Sequence, residues 1–133
     1  MSERESETVR RLYERWSQGD FSAGAQLFDD ATVFILSPDF PDAGIYLGAA
    51  GISRYMRGFL EPWERLTITC LGLVQVGDTV VAEVRQEGAG ELSGAMTGFE
   101  YFQIWSFRGG TLMRLENVMH REEADAAVGG RLG

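Results

Sequence analysis

The stretch FQIWSFRGGTLMRLENVMH, Phe102 to His120, reads as two β-strands joined by a tight turn. Apolar and polar residues alternate on both sides of Arg108-Gly109-Gly110, and a glycine pair between two alternating runs marks a hairpin. In the second strand, from Thr111, the period of two puts Met113, Leu115, Asn117 and Met119 on one face. It puts Leu112, Arg114, Glu116, Val118 and His120 on the other. The first face is apolar except for Asn117, the only asparagine in the chain. Burying an unpartnered amide costs a few kcal/mol, roughly. Asn117 therefore marks a point where an apolar lining meets something polar: a ligand oxygen, a fixed water or Gln103.

Working outward, Met96 to Phe107 is a long strand, preceded by Leu66 to Val76 and Thr79 to Glu87 around a Gly77-Asp78 turn. GAGELSG, Gly88 to Gly94, reads as a flexible crossing or hairpin end. Thr32 to Leu36 is a first, shorter strand. The helices come early. Val9, Leu12, Tyr13 and Trp16 share one face of a helix over Glu3 to Ser17, and Gly19-Asp20 ends it. A short helix over Ala23 to Phe28 follows. Ile52, Tyr55, Met56, Phe59 and Leu60 mark a third amphipathic helix that Pro62 closes or kinks. Between them SPDFPDAGIYLGAAG, Ser37 to Gly51, has the composition of a loop. A short helix around Glu122 to Val128 and a Gly-rich tail finish the chain. Helices first and long antiparallel strands afterwards predict an α+β fold: a curved, cone-shaped sheet packed on three N-terminal helices, enclosing a pocket. Residues 1–133 are expected to form a single domain, with 1–5 and 129–133 as flexible ends.

The net charge of -8 argues against nucleic acid, whose phosphates need a basic face, and against docking on an anionic membrane. All twelve basic residues are arginine, which excludes Schiff-base chemistry on a lysine. Cys70 is alone, leaving no internal disulfide and no cysteine metal cluster; it reads as an inert core thiol. One His and one Cys do not make a metal site, and no Gly-rich loop follows a strand and opens a helix, so no metal or other cofactor is expected. The start MSERESE lacks the apolar core of a signal peptide, and no apolar run is long enough to span a bilayer, so the expected location is the cytoplasm.

QGDFSAGAQLFDDATVFIL, the loop ending IYLGAAGI, and the final hairpin together resemble the nuclear-transport-factor-2-like superfamily, in particular its SnoaL-like, polyketide cyclase-like branch. That resemblance covers nearly the whole chain and implies the same cone-shaped fold. The superfamily includes isomerases, cyclases, hydrolases, dehydratases and binding or association domains, so the likeness specifies the fold better than the activity. Ketosteroid isomerases place an aspartate base just after the first strand, near Ile35 to Ser37 here, where this chain has no carboxylate. Their oxyanion tyrosine falls on Leu12, next to Tyr13, and their second donor falls on Gln103. The epoxide-hydrolase branch uses an Arg-x-Asp pair on one strand, resembled by Arg85-Gln86-Glu87, and a last-strand aspartate that falls on Asn117. An amide orients water but takes no proton near neutral pH. SnoaL-type cyclases use a late-strand aspartate, and Glu87 is the nearest substitute.

The expected site thus has Glu87 as the proton-moving group, Arg85 setting its charge, and Asn117 with Gln103 holding an oxyanion or water. Tyr13, Trp16, Tyr46, Tyr55, Phe59, Trp63, Tyr101 and Trp105 would form an aromatic wall suited to a flat ligand. Each has a plainer reading. Arg85 and Glu87 would be a structural ion pair, the aromatic residues core, His120 a surface group, and Asp39 and Asp42 turn formers that could gate the pocket mouth. Two functions remain open. One is a pocket protein that binds a small apolar, oxygen-bearing molecule and isomerises, cyclises, dehydrates or hydrolyses it. The other is a non-enzymatic binding or association domain. The resemblance also implies a homodimer through the outer face of the sheet, where alternation puts Glu100, Phe102, Ile104 and Ser106.

Overall fold

The computed structural model describes residues 4–90 and 96–132. Helix α1, Arg4–Trp16, carries Glu5 and Glu7 in its first turn and Arg15 in its last, complementing the helix dipole at both ends. Its apolar stripe of Val9, Leu12, Tyr13 and Trp16 is buried against the sheet. The expected second helix is a single 3-10 turn, Ala25–Leu27. Gly24, just before it, has φ +90°, and a Cβ there would stand 2.4 Å from Leu12 Cδ1. Only glycine lets the chain pass this close beneath α1.

The first strand, β1 (Val33–Leu36), is followed by a strand that the sequence reading assigned to loop, β2 (Gly44–Leu47). It pairs antiparallel with β1, from Val33↔Leu47 to Leu36↔Gly44. Four residues, the first a glycine, at a sheet edge with Ile45 and Leu47 exposed, give too short an alternation to stand out from a loop. Helix α2 then spans Gly48–Leu60, starting one turn earlier than its first apolar residue, Ile52, suggested.

Strands β3 (Trp63–Val76), β4 (Thr79–Gly90), β5 (Met96–Arg108) and β6 (Thr111–Val118) form an antiparallel meander. The GAGELSG stretch divides: Gly88 to Gly90 continue β4, and 91–95 lie outside the described residues. The sheet order is β2-β1-β6-β5-β4-β3, with β1 parallel to β6 in the register Leu36↔Asn117. Helix α3 (Arg121–Ala127) is capped by His120 and Glu123, whose side chain and backbone groups satisfy one another. The α+β cone expected from the sequence is the fold observed, with α1, the 3-10 turn and α2 on the inner face.

One strand face departs from simple alternation. Between Ser106↔Arg114 and Phe107↔Leu112 the ladder slips, leaving Met113 as an extra residue. This bulge turns Leu112 inward, into the main core, whereas Arg114 and Glu116 stay outward as the period predicts. On the outer face, Ile104, Val81 and Val118 form a second core under Ala124 of α3 and Val128 just after it. Ile104 is only 1% exposed, so part of the apolar patch read as a subunit-facing surface is covered by the chain's own last helix.

Candidate functional site

The inner face of the sheet and the helices enclose a cavity of about 800 Å³. Ile52, Met56 and Phe59 of α2 form one wall, Trp16, Phe21 and Phe28 another, and Leu36, Tyr101 and Leu115 the sheet side. The size and the mainly apolar wall are those of a small-molecule site. Trp63 reaches the cavity by lying over Gly88, where a Cβ would come 2.7 Å from its ring. Trp16 is fixed by a 3.2 Å bond from its indole N–H to the Ala23 carbonyl.

Non-aromatic polar side chains are few: besides Ser22 and Ser53 there are three buried amides and one carboxylate. At the inner end, Trp105 Nε1 donates to Tyr13 Oη at 2.8 Å, Tyr13 Oη donates to Gln103 Oε1 at 2.7 Å, and Gln103 Nε2 donates to Asn117 Oδ1 at 3.1 Å. All four residues are buried, and Gln103 and Asn117 line the cavity. Asn117 is 5% exposed, and its Nδ2 makes no hydrogen bond with any described residue. That nitrogen keeps accessible surface and Asn117 lines the cavity, so its free N–H groups face the cavity. Gln86 repeats the pattern alongside: its Oε1 accepts from Tyr101 Oη at 2.9 Å, and its nitrogen has no partner among the described residues.

At the mouth lies Asp42, the only carboxylate among the lining residues described. The Tyr55 hydroxyl donates to its Oδ2, and the Tyr46 hydroxyl donates to its backbone carbonyl at 2.9 Å. Tyr46 and Tyr55 are themselves in contact, with ring centroids 4.5 Å apart. The loop is thus tied to α2 and β2 at one residue. Burial, and then the neighbouring Asp42 carboxylate, push the Tyr55 and Tyr101 phenols well above the ordinary tyrosine range. Burial does the same to Tyr13, partly offset by the bond from Trp105. All three phenols therefore act as neutral donors near neutral pH.

Of the residues expected at the site, Trp16, Tyr55, Phe59, Trp63, Tyr101, Gln103 and Asn117 line the cavity. Tyr13, Trp105 and Tyr46 stand behind the wall and act through hydrogen bonds or ring contacts. Arg85 and Glu87 are not there. Val80, Ala82, Val84 and Gln86 face inward along β4, so the alternation sends Arg85 and Glu87 to the outer face. There Arg85 bonds Glu100 at 2.7 Å and approaches Glu87 at 3.4 Å, with all three half-exposed. The expected pair does sit on one face, but on the opposite side of the sheet from the cavity. The residue between them, Gln86, is the one that points in. The signal was available, since Gln86 continues the apolar inward run.

Asp39 and His120 lie at the surface, 3.7 Å apart. With Glu123 their ligand atoms come within 4.8 Å of one another, a grouping explained by the cap of α3. Cys70 is half-buried, its thiol pushed up by burial. Among the described residues no helix is long and apolar enough to cross a membrane.

Residues 9–115 match the SnoaL-like domain family. The chain belongs to that family. Among solved structures, this SnoaL-like protein is similar to a candidate isomerase from Bacillus subtilis, with 24% identity, 98% of this chain and 97% of the other covered, and a TM-score of 0.72. A candidate SnoaL-like polyketide cyclase from Jannaschia sp. CCS1 gives 18% identity, 97% and 93% coverage and a TM-score of 0.72. TerC, co-crystallised with polyporic acid, gives 17% identity, 93% and 96% coverage and a TM-score of 0.72. At these identities the likeness speaks for the fold. No sequence among the curated proteins compared matches the chain.

Proposed function

We propose that this SnoaL-like protein binds a small, largely apolar molecule with an oxygen directed at the inner end of its cavity, and that Asp42 moves a proton on it. The reaction would be an isomerisation, cyclisation, dehydration or hydrolysis. The observation that carries the reading is the half-satisfied amide of Asn117, buried at 5% exposure with its free N–H groups turned into apolar space. Such a group is stabilised by a partner that an occupant supplies. Asp42 takes the role that the sequence suggested for Glu87, because it is the carboxylate at the cavity. One of its oxygens is held by Tyr55, and the other remains for a substrate proton. TerC, a fold neighbour crystallised with polyporic acid, supports a ligand of this kind.

The second reading is binding without conversion. It is supported by the inner end itself, where Gln86, Gln103 and Asn117 are all amides and none ionises. The two are separated by incubating the protein with 2-tetralone in D₂O and following loss of the α-proton signals by NMR. Faster exchange than buffer, abolished in Asp42→Asn, supports the acid–base reading. Saturable binding of 2-tetralone with no faster exchange supports binding alone. No binding of any apolar ketone overturns both.

A further inference from the structure

We propose that Trp105 and Tyr13, which do not line the cavity, determine which ligands it accepts, by fixing the Gln103–Asn117 part of the inner wall as a hydrogen-bond donor surface. The inference rests on the cavity being a binding site and adds what that site selects: a carbonyl-type or anionic oxygen, an acceptor without a proton to give.

Direction in the chain of bonds comes from its far end. An indole N–H donates and never accepts. Trp105, 0% exposed, spends that donor on the Tyr13 oxygen. A phenol has one proton, and Tyr13 gives it to Gln103. Were Gln103 turned over, the phenol oxygen would face two donors and its own proton would lose its acceptor. Gln103 must therefore present oxygen to Tyr13 and nitrogen to Asn117, at 3.1 Å. Asn117 in turn must offer its oxygen to Gln103 and its nitrogen to the cavity. An amide with both ends free would serve donors and acceptors alike. Here a donor-only side chain three hydrogen bonds away removes that choice. Tyr13 does not lose its proton near neutral pH, since burial holds the phenol above its ordinary range, so the polarity persists.

The test uses three tricyclic molecules of nearly the same shape: 9-fluorenone (acceptor), fluorene (neither) and carbazole (donor). Binding to the intact chain is measured by calorimetry, together with the carbonyl stretch of bound fluorenone by infrared difference spectroscopy. Fluorenone should bind roughly tenfold more tightly than fluorene, with its carbonyl band shifted to lower frequency. In Tyr13→Phe, and separately in Trp105→Phe, the advantage of fluorenone should fall severalfold and the band shift shrink, carbazole should gain, and fluorene should stay within about twofold. A merely structural role for the pair would weaken all three molecules together and leave the band shift of bound fluorenone intact, and that result overturns the inference. Equal affinity of the unaltered protein for fluorenone and fluorene also overturns it, while leaving the cavity a binding site. Failure to bind any of the three removes the underlying reading as well.

Discussion

Replacing Tyr13 with phenylalanine removes one oxygen and leaves the ring. Its edge-on contacts with Trp16 and Trp105, at 5.6 and 6.0 Å, persist, so there is little cavity to charge for. Two fully buried polar atoms lose their partners: the Trp105 indole N–H and the Gln103 amide oxygen. Each unsatisfied group costs about 1–3 kcal/mol, so the loss should be about 3 kcal/mol in all. For a chain of this length that lowers the melting temperature by roughly 10 °C. Urea unfolding followed by circular dichroism, with an unchanged m-value, reads it directly. Trp105→Phe removes the donor and its need together, so the double variant should be less destabilised than the sum of the two singles, by about 1 kcal/mol or more. A loss below about 1 kcal/mol in Tyr13→Phe, or strict additivity, would refute the claim that these groups form one connected chain of bonds.

Other expectations are simpler to check. Raising the pH through 10 should destabilise the fold steeply, because the unfolded chain ionises Tyr13 and Tyr101 while the folded chain holds both protonated. Their contribution is fully present below pH 10 and is lost above it at about 3 kcal/mol per pH unit, visible as a falling urea midpoint. Asp42→Asn should bring the Tyr55 phenol down toward ordinary values, read as an earlier rise in ultraviolet absorbance on alkaline titration. Gly88→Ala pushes a methyl group into the Trp63 ring and should shift tryptophan emission at a cost of about 1–3 kcal/mol. Arg85→Gln, on the solvated outer face, should leave both the urea midpoint and ligand binding unchanged.

The architecture was legible because its long elements carry long periods. Val9, Leu12, Tyr13 and Trp16 share one face over about two turns, and the meander strands are eight residues or longer. Short elements were not legible: β2 has four residues, too few to distinguish alternation from chance. The site was legible where a residue type contradicts its face, as Asn117 does. It was misread where spacing alone was used. Arg85 and Glu87 do share a face, but spacing is silent about which face; that follows from Val80, Ala82 and Val84 on the other parity. Asp42 was read first as a turn former that could gate the pocket mouth, and not as a proton-moving group. Flanked by Pro41, Ala43 and Gly44 it looks like any turn former, and only Tyr46 and Tyr55 arriving from later in the chain bring it to the cavity. Met113 shows the same limit, since a bulge depends on the partner strand as much as on its own.

The parallel pairing of β1 with β6 has a consequence for how the molecule is made. Val33 to Leu36 has no neighbour on its inner flank until Arg114 to Asn117 arrives, about eighty residues later on the ribosome. The loop closed by that docking is among the longest the topology contains, so its entropy cost falls late in folding. Until then β1 and β2 form an isolated ribbon of four residues each, too small to persist alone. The strand that completes the sheet is also the one that delivers Asn117. A nascent or C-terminally clipped chain therefore lacks both its keystone strand and its binding floor, and gains them in one step.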